Sequence, residues 1–169
     1  MFTRTELHTA VTMVRSKKLD LYQPLTIQFS QDPNSEADLY FFRGAKKHYE
    51  NGAHFWLRCI NWLEDSWQGF QLLMAQRYPA RGRPKAGRVN VHTDFFTDEY
   101  NLCEPIAPES FHVVIEGYSL ELKKADIPHT YHWEGGVQQA MQMSNEWNDQ
   151  SFVAQTESEF LAFHWVTQS

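Results

Sequence analysis

The start of the chain repeats apolar side chains with a helical period. Thr3 and Glu6 fit a capping box, in which each side chain accepts a hydrogen bond from a backbone N–H of the first turn. The apolar residues that follow recur at the spacing i, i+3, i+4, i+7: Leu7, Ala10, Val11 and Val14. The pattern predicts an amphipathic opening helix of about four turns.

A two-residue alternation replaces this period further along the chain. Leu25, Ile27 and Phe29 alternate with polar residues, which predicts a half-buried strand. Residues 38–43 are a short aromatic run bounded by turn residues and predict a second strand. The same reasoning predicts further strands over residues 89–96, 111–122 and 160–166.

Asn51-Gly52 is the residue pair that a type I′ hairpin turn favours, because both central residues of that turn take a positive φ. We therefore expect residues 46–50 to pair with a strand that begins near His54. From about Trp62 the apolar spacing becomes helical, and this helix should end before Pro79. A third helix is expected from near Gly136 to about residue 148.

Helices interspersed among short strands, without regular β-α-β alternation, indicate the α+β class. We expect a single domain over residues 1–169, with a mainly antiparallel sheet and about three helices packed on one of its faces. Hydrophobic residues make up 42% and aromatic residues 15% of the chain, which is enough apolar surface for a packed core and argues against disorder.

Neither a membrane span nor a signal peptide is predicted. No apolar run reaches the 18 or so residues that a spanning helix needs, and charged residues interrupt the start of the chain. The chain has 2 cysteines, Cys59 and Cys103, so a disulfide framework is not expected. We therefore expect a cytoplasmic protein without a membrane partner.

Charge is divided unevenly along the chain. The formal net charge is −6, but basic residues dominate up to residue 88, and Lys123 and Lys124 are the only basic residues after it. Such a division favours a charged partner. The alternative is that the basic and acidic parts face each other in the fold and neutralise one another.

The most basic segment, residues 77–88, contains no acidic residue. Its centre, Arg81-Gly82-Arg83-Pro84-Lys85, resembles the AT-hook, a motif that places arginine side chains in the minor groove of A·T-rich DNA. This resemblance implies a nucleic-acid-binding module that uses four side chains: Arg81, Arg83, Lys85 and Arg88. An ordinary solvated loop is the competing interpretation.

The acidic part of the chain predicts a different function. A surface rich in carboxylates and tryptophan can dock on a basic surface of a protein partner, as immunity proteins and other inhibitors do. Our main hypothesis is a non-enzymatic binding protein of this kind, or a small subunit of an assembly, that needs no cofactor. The contact residues that we expect are Asp94, Asp98, Glu99, Glu104 and Trp133. Trp147 and Trp165 are further tryptophans of this part.

A catalytic interpretation is also open. His92 and Asp94 are two residues apart on a predicted strand, and His129 and His132 are three apart, so together they could bind zinc or non-haem iron in a metal-dependent hydrolase. The cysteines offer less, because Cys59 lies in an apolar run and Glu104 beside Cys103 opposes thiolate formation.

Overall fold

The computed structural model of the chain describes residues 1–32, 37–77, 100–124 and 131–167. Within these residues there are three α-helices: α1 (Arg4–Arg15), α2 (Gly52–Arg77) and α3 (Pro108–Lys124). Six strands form one antiparallel sheet in the order β1-β2-β6-β5-β4-β3: β1 (Thr26–Asp32), β2 (Ala37–Ala45), β3 (Glu104–Ile106), β4 (Gln139–Glu146), β5 (Asp149–Gln155) and β6 (Glu159–Thr167). The α+β class is confirmed.

The opening helix follows its local signals. The Thr3 backbone N–H donates to Glu6 Oε2 at 2.7 Å, and the Glu6 backbone N–H donates to Thr3 Oγ1 at 3.2 Å, so the capping box is present. The apolar face of the helix is buried in the core through Leu7, Ala10 and Val11. The strands predicted from residues 25, 38 and 160 onward are also confirmed as β1, β2 and β6.

Helices cover both faces of the sheet, which corrects the expectation of one covered face. Along β6, Phe160 and Ala162 belong to the core under α1 and α2, whereas Leu161 and Phe163 belong to the core under α3. All four side chains are 6% exposed or less. Because successive side chains of a strand point to opposite faces, an apolar run of this kind requires a cover on each face.

The hairpin predicted at Asn51-Gly52 is wrong, because these residues begin α2 instead. Asn51 Oδ1 accepts a hydrogen bond from the His54 backbone N–H at 3.0 Å, which is the contact of a helix N-cap. Gly52 packs against Phe2, and a Cβ atom at this position would lie 3.0 Å from the ring. α2 therefore starts ten residues before the expected point at Trp62.

Two further predictions are wrong: a segment predicted as a strand is a helix, and a segment predicted as a helix contains a strand. Residues 111–122 lie in α3, where Phe111 and Ile115 are buried at helical spacing, and Pro108 occupies the first helical position that proline favours. Residues 136–148 contain β4 rather than a helix, with Met141 and Met143 buried two residues apart. The strand predicted over residues 89–96 lies outside the described residues.

No helix in the described part of the chain is both long enough and apolar enough to cross a membrane.

Candidate functional site

Most of the residues that sequence analysis selects lie outside the described residues. This holds for three of the proposed contact residues, Asp94, Asp98 and Glu99, and for His92 and His129 of the proposed metal site. It also holds for all four residues of the proposed nucleic-acid-binding loop: Arg81, Arg83, Lys85 and Arg88. Among the residues that are described, no group of three His, Cys, Asp or Glu side chains could hold a metal ion.

Glu104, Trp133 and His132 have described positions. Glu104 is exposed at the start of the edge strand β3, and His132 is exposed between α3 and β4. Trp133 is only partly exposed, because its ring packs on Phe41 at 5.9 Å and on His112 at 5.0 Å between centroids. Trp133 therefore belongs mainly to the core beneath α3.

Neither cysteine is set up as a nucleophile. Cys59 is fully buried, and burial raises the pKa of its thiol well above the ordinary value. Burial also raises the pKa of Cys103 to about 11, although the nearby Arg4 acts in the opposite direction. Both side chains are free thiols and are protonated near neutral pH.

A row of polar side chains crosses the sheet on the face that α1 and α2 cover. The strand register places Ser144 of β4 opposite Ser151 of β5, Ser151 opposite His164 of β6, and His164 opposite Tyr40 of β2. A register shift between Gln142 and Ser144 produces the first of these pairings. Ser144, Ser151 and His164 are each 4% exposed or less.

Asp149 connects this row to Tyr100, which precedes β3. Its Oδ1 accepts a hydrogen bond from Ser144 Oγ at 2.9 Å, and its Oδ2 accepts one from the Tyr100 hydroxyl. Ser151 Oγ and His164 Nδ1 share a hydrogen bond of 2.7 Å, and the same Nδ1 lies 3.7 Å from Asp149 Oδ1. We call Tyr100, Ser144, Asp149, Ser151 and His164 the polar network.

The polar network contains serine, histidine and aspartate but not the geometry of a catalytic triad. In a triad the hydroxyl and the carboxylate contact different nitrogens of the imidazole, so that a proton can pass across the ring. Here both groups face Nδ1 of His164. Ser151 is also 0% exposed, so no substrate carbonyl can reach its hydroxyl in this conformation. The hydrogen bonds of the polar network instead connect β4, β5 and β6.

Burial controls the charge of His164. It lowers the pKa of the imidazole below the ordinary value of 6.5, and the opposing attraction of Asp149 does not compensate. His164 is therefore neutral at neutral pH and can either accept or donate at Nδ1. Tyr100 closes this part of the core, because its ring lies 5.7 Å from that of His164 and its carbonyl accepts from Trp56 Nε1 at 3.3 Å.

A buried acid, Glu64, lies on the same face of the sheet. Glu64 of α2 follows Trp56 and Ile60 on the inner side of the helix and is 9% exposed. Its Oε2 has no hydrogen-bond partner within the described part of the chain. Burial, with a further contribution from Asp65, raises the pKa of Glu64 to about 8. This carboxyl group is mostly protonated at neutral pH.

The surface of the acidic part carries carboxylates and exposed apolar side chains together. Among the described residues of this part, six glutamates are exposed: Glu104, Glu109, Glu116, Glu134, Glu146 and Glu157. Trp147, in the turn between β4 and β5, is 72% exposed and follows Glu146 directly. The sequence predicts an exposed tryptophan beside carboxylates at Trp133, whereas in the structure Trp147 has this exposure.

The outer side of α3 has the same mixed character. Val113 is 66% exposed and Leu120 is 55% exposed. They alternate with two exposed glutamates at the spacing i, i+4, i+7, i+11, which forms one stripe along the helix: Glu109, Val113, Glu116 and Leu120. We call these four residues the α3 stripe.

Trp147 lies at the end of the sheet over which the C-terminal half of α3 packs. The Tyr118 hydroxyl of α3 donates to Gln150 Oε1 at 3.1 Å, and the Tyr118 ring stacks on Trp165 with centroids 5.3 Å apart. Gln150 of β5 pairs with Trp165 of β6. Gln150 follows Trp147 by three residues. The sequence pattern predicts a strand over residues 111–122, so the stripe is not among the predicted contact residues.

A salt bridge in the described part of the chain joins the basic and acidic parts. Arg43 of β2 and Glu159 of β6 form a salt bridge of 2.7 Å, and Glu159 Oε2 also accepts from the Glu134 backbone N–H at 3.0 Å. The six exposed glutamates lie outside this pair. Among the described residues, this contact between the two parts neutralises Glu159.

Comparison of the chain with protein-family models, with curated protein sequences and with solved structures finds no match.

Proposed function

We propose that the protein is a non-enzymatic binding protein that docks on a basic surface of a macromolecular partner, as an inhibitor or immunity-type protein or as a small subunit of an assembly. The observation that carries this proposal is Trp147, which is 72% exposed at a hairpin turn and adjoins Glu146. Tryptophan side chains dominate interface energies because they bury a large, rigid area at a small entropic cost.

The α3 stripe supports the same function. Exposed aliphatic side chains between carboxylates combine apolar contact area with attraction to cationic groups. The contact of Tyr118 with Gln150 places the C-terminal half of α3, which carries Leu120, over the end of the sheet that bears Trp147. The proposed interface therefore consists of Glu146, Trp147 and the α3 stripe, together with the acidic residues that sequence analysis selects.

The test is an affinity pull-down from native cytosol with tagged protein, in parallel for the unchanged chain, Trp147→Ala and Tyr22→Ala. Tyr22 is the matched control, because it is 89% exposed but belongs to the basic part of the chain. We expect a partner that Tyr22→Ala retains and Trp147→Ala loses, with binding weakened about 30-fold or more. A partner that both variants retain equally would contradict the proposed interface.

A nuclease-treated arm tests the alternative function, nucleic-acid binding through Arg81, Arg83, Lys85 and Arg88. The docking proposal predicts that the partner resists nuclease and dissociates faster as salt rises. Loss of all bound material on nuclease treatment would favour the basic loop, as would a steep dependence of the affinity on salt that alanine substitution of those four residues abolishes.

A further inference from the structure

The two edges of the sheet differ in how well they are protected against pairing with another strand. At one edge, β3 has three residues, Glu104, Pro105 and Ile106. Short length, a charge and a proline are devices by which proteins prevent edge-to-edge association. At the other edge, β1 has seven residues with the sequence TIQFSQD, which contains neither proline nor lysine.

β1 is also regular. It pairs with β2 without a register shift from Thr26 opposite Arg43 to Asp32 opposite Ala37. Among the described residues, β2 is the only strand that pairs with β1. The outward-directed backbone groups of such an edge form a template for a further strand.

Phe29, at the centre of β1, marks this edge as an apolar one. It is 49% exposed, and its ring contacts that of Tyr40 with the two ring centroids 5.0 Å apart. About half of a large aromatic side chain thus remains in water at the middle of an edge strand. Aromatic cross-strand pairs are among the contacts that stabilise sheets most.

We propose that the protein forms a symmetric dimer in which the β1 strands of two copies pair antiparallel, with the two-fold axis beside Phe29. The strand is self-complementary in this register: Phe29 faces its own copy, Gln28 faces Ser30, Ile27 faces Gln31 and Thr26 faces Asp32. No two like charges are opposed. Because β1 is the one edge of the described sheet that lacks these protective features, the association closes at two copies instead of growing into a fibre.

The first measurement is the molar mass of the full-length chain by light scattering across a range of concentrations. We expect twice the 19.9 kDa of one chain at high concentration, with dissociation on dilution. A mass of 19.9 kDa at every concentration would overturn the proposal. The same result is expected if the edge instead binds a peptide of another protein, so that case also counts against the dimer.

Charged substitutions at position 29 test whether the β1 edge forms the dimer contact. F29K and F29E each place like charges opposite one another, so each should raise the dimer dissociation constant at least about tenfold. A one-to-one mixture of F29K and F29E should restore the dimer, which a misfolded variant cannot do. M13K adds the same charge at a partly exposed position of α1 and should leave the mass unchanged. Dimers that persist in F29K and in F29E would place the contact elsewhere.

Disulfide trapping tests the register. In F29C the two introduced thiols face each other across the axis, within the Cα separation that a disulfide allows, so oxidation should link the two copies. Gln31→Cys is the matched control, because residue 31 faces residue 27 of the other copy and its own counterpart is about 13 Å away. Equal cross-linking of the two variants would contradict the proposed register.

Discussion

The face of the sheet under α1 and α2 and the face under α3 are both covered, yet they bury different chemistry. Beneath α3 the core is centred on Phe41, Phe111 and Phe163, and the hydroxyls of Ser30 and Tyr131 are buried there as a pair. Beneath α1 and α2 the core also encloses the polar network and Glu64. The α3 face thus depends mainly on apolar burial, whereas the other face also depends on the alignment of several hydrogen-bonding partners across the strands.

This difference has a consequence for specificity. Apolar packing tolerates small shifts, but a buried donor or acceptor that loses its partner costs about 1–3 kcal/mol. Asp149 reaches Ser144 and Tyr100 only if β4, β5 and the segment before β3 are in one register. We infer that the polar network fixes strand register, while α3 leaves its outer stripe free for a partner.

The largest effect is expected from a cavity on the apolar face. Phe111→Ala removes a ring that is 0% exposed and should lower the free energy of unfolding by about 3–5 kcal/mol. The loss should be the same at about pH 5 and pH 8, because the described buried residues of this cluster include no histidine or carboxylate. Urea unfolding at the two pH values measures the lost free energy. A loss that changes with pH would contradict the difference proposed between the two faces of the sheet.

A smaller effect is expected on the polar face, where it should depend on pH. His164→Asn can keep a partner for Ser151 but fills less of the core, so we expect a loss of about 2 kcal/mol near neutral pH. Because the pKa of His164 is lowered by folding, the unchanged protein loses stability as the pH falls below 6.5, where the unfolded chain binds the proton first. His164→Asn should lack this loss.

The measurement is the free energy of unfolding of both proteins from about pH 7.5 to about pH 5. The two curves should approach one another as the pH falls. Parallel curves would mean that His164 is not responsible for the pH dependence.

Glu64 should show the opposite pH dependence. Folding raises its pKa to about 8 from 4.5, so its contribution to stability is fully present below pH 4.5 and is lost as the pH rises toward 8. Glu64→Gln cannot ionise and should be more stable than the unchanged protein at about pH 8, by about 1–2 kcal/mol. Asp65→Asn, at the exposed neighbour, is the control and should have a weaker effect. Equal stability of Glu64→Gln and the unchanged protein at this pH would contradict the prediction.

The smallest effect on stability is expected on the outer side of α3. The double variant Val113→Ser, Leu120→Ser changes two exposed positions and should alter the free energy of unfolding by less than about 1 kcal/mol, because neither side chain packs in the core. It should nevertheless weaken binding of the partner that Trp147→Ala loses. A large loss of stability would show that the stripe is part of the core after all.

The candidate surface was only partly predictable. The acidic part of the chain and its tryptophans are visible in the sequence, but the exposure of each tryptophan is not. Trp133 packs on Phe41 and His112, and Trp147 protrudes from a turn. The α3 stripe could have been found from its helical spacing, but the β-branched run Val113-Val114-Ile115 suggested a strand, and packing overrode that local preference.

Local sequence patterns determined the α+β class, the capped helix α1 and the strands β1, β2 and β6, because each depends on side chains only a few residues apart. Tertiary structure decided the rest. Gly52 at the start of α2 packs against Phe2, and strand register aligned four side chains into one network: Ser144, Asp149, Ser151 and His164. Such contacts join residues distant in the chain, and no local period encodes them.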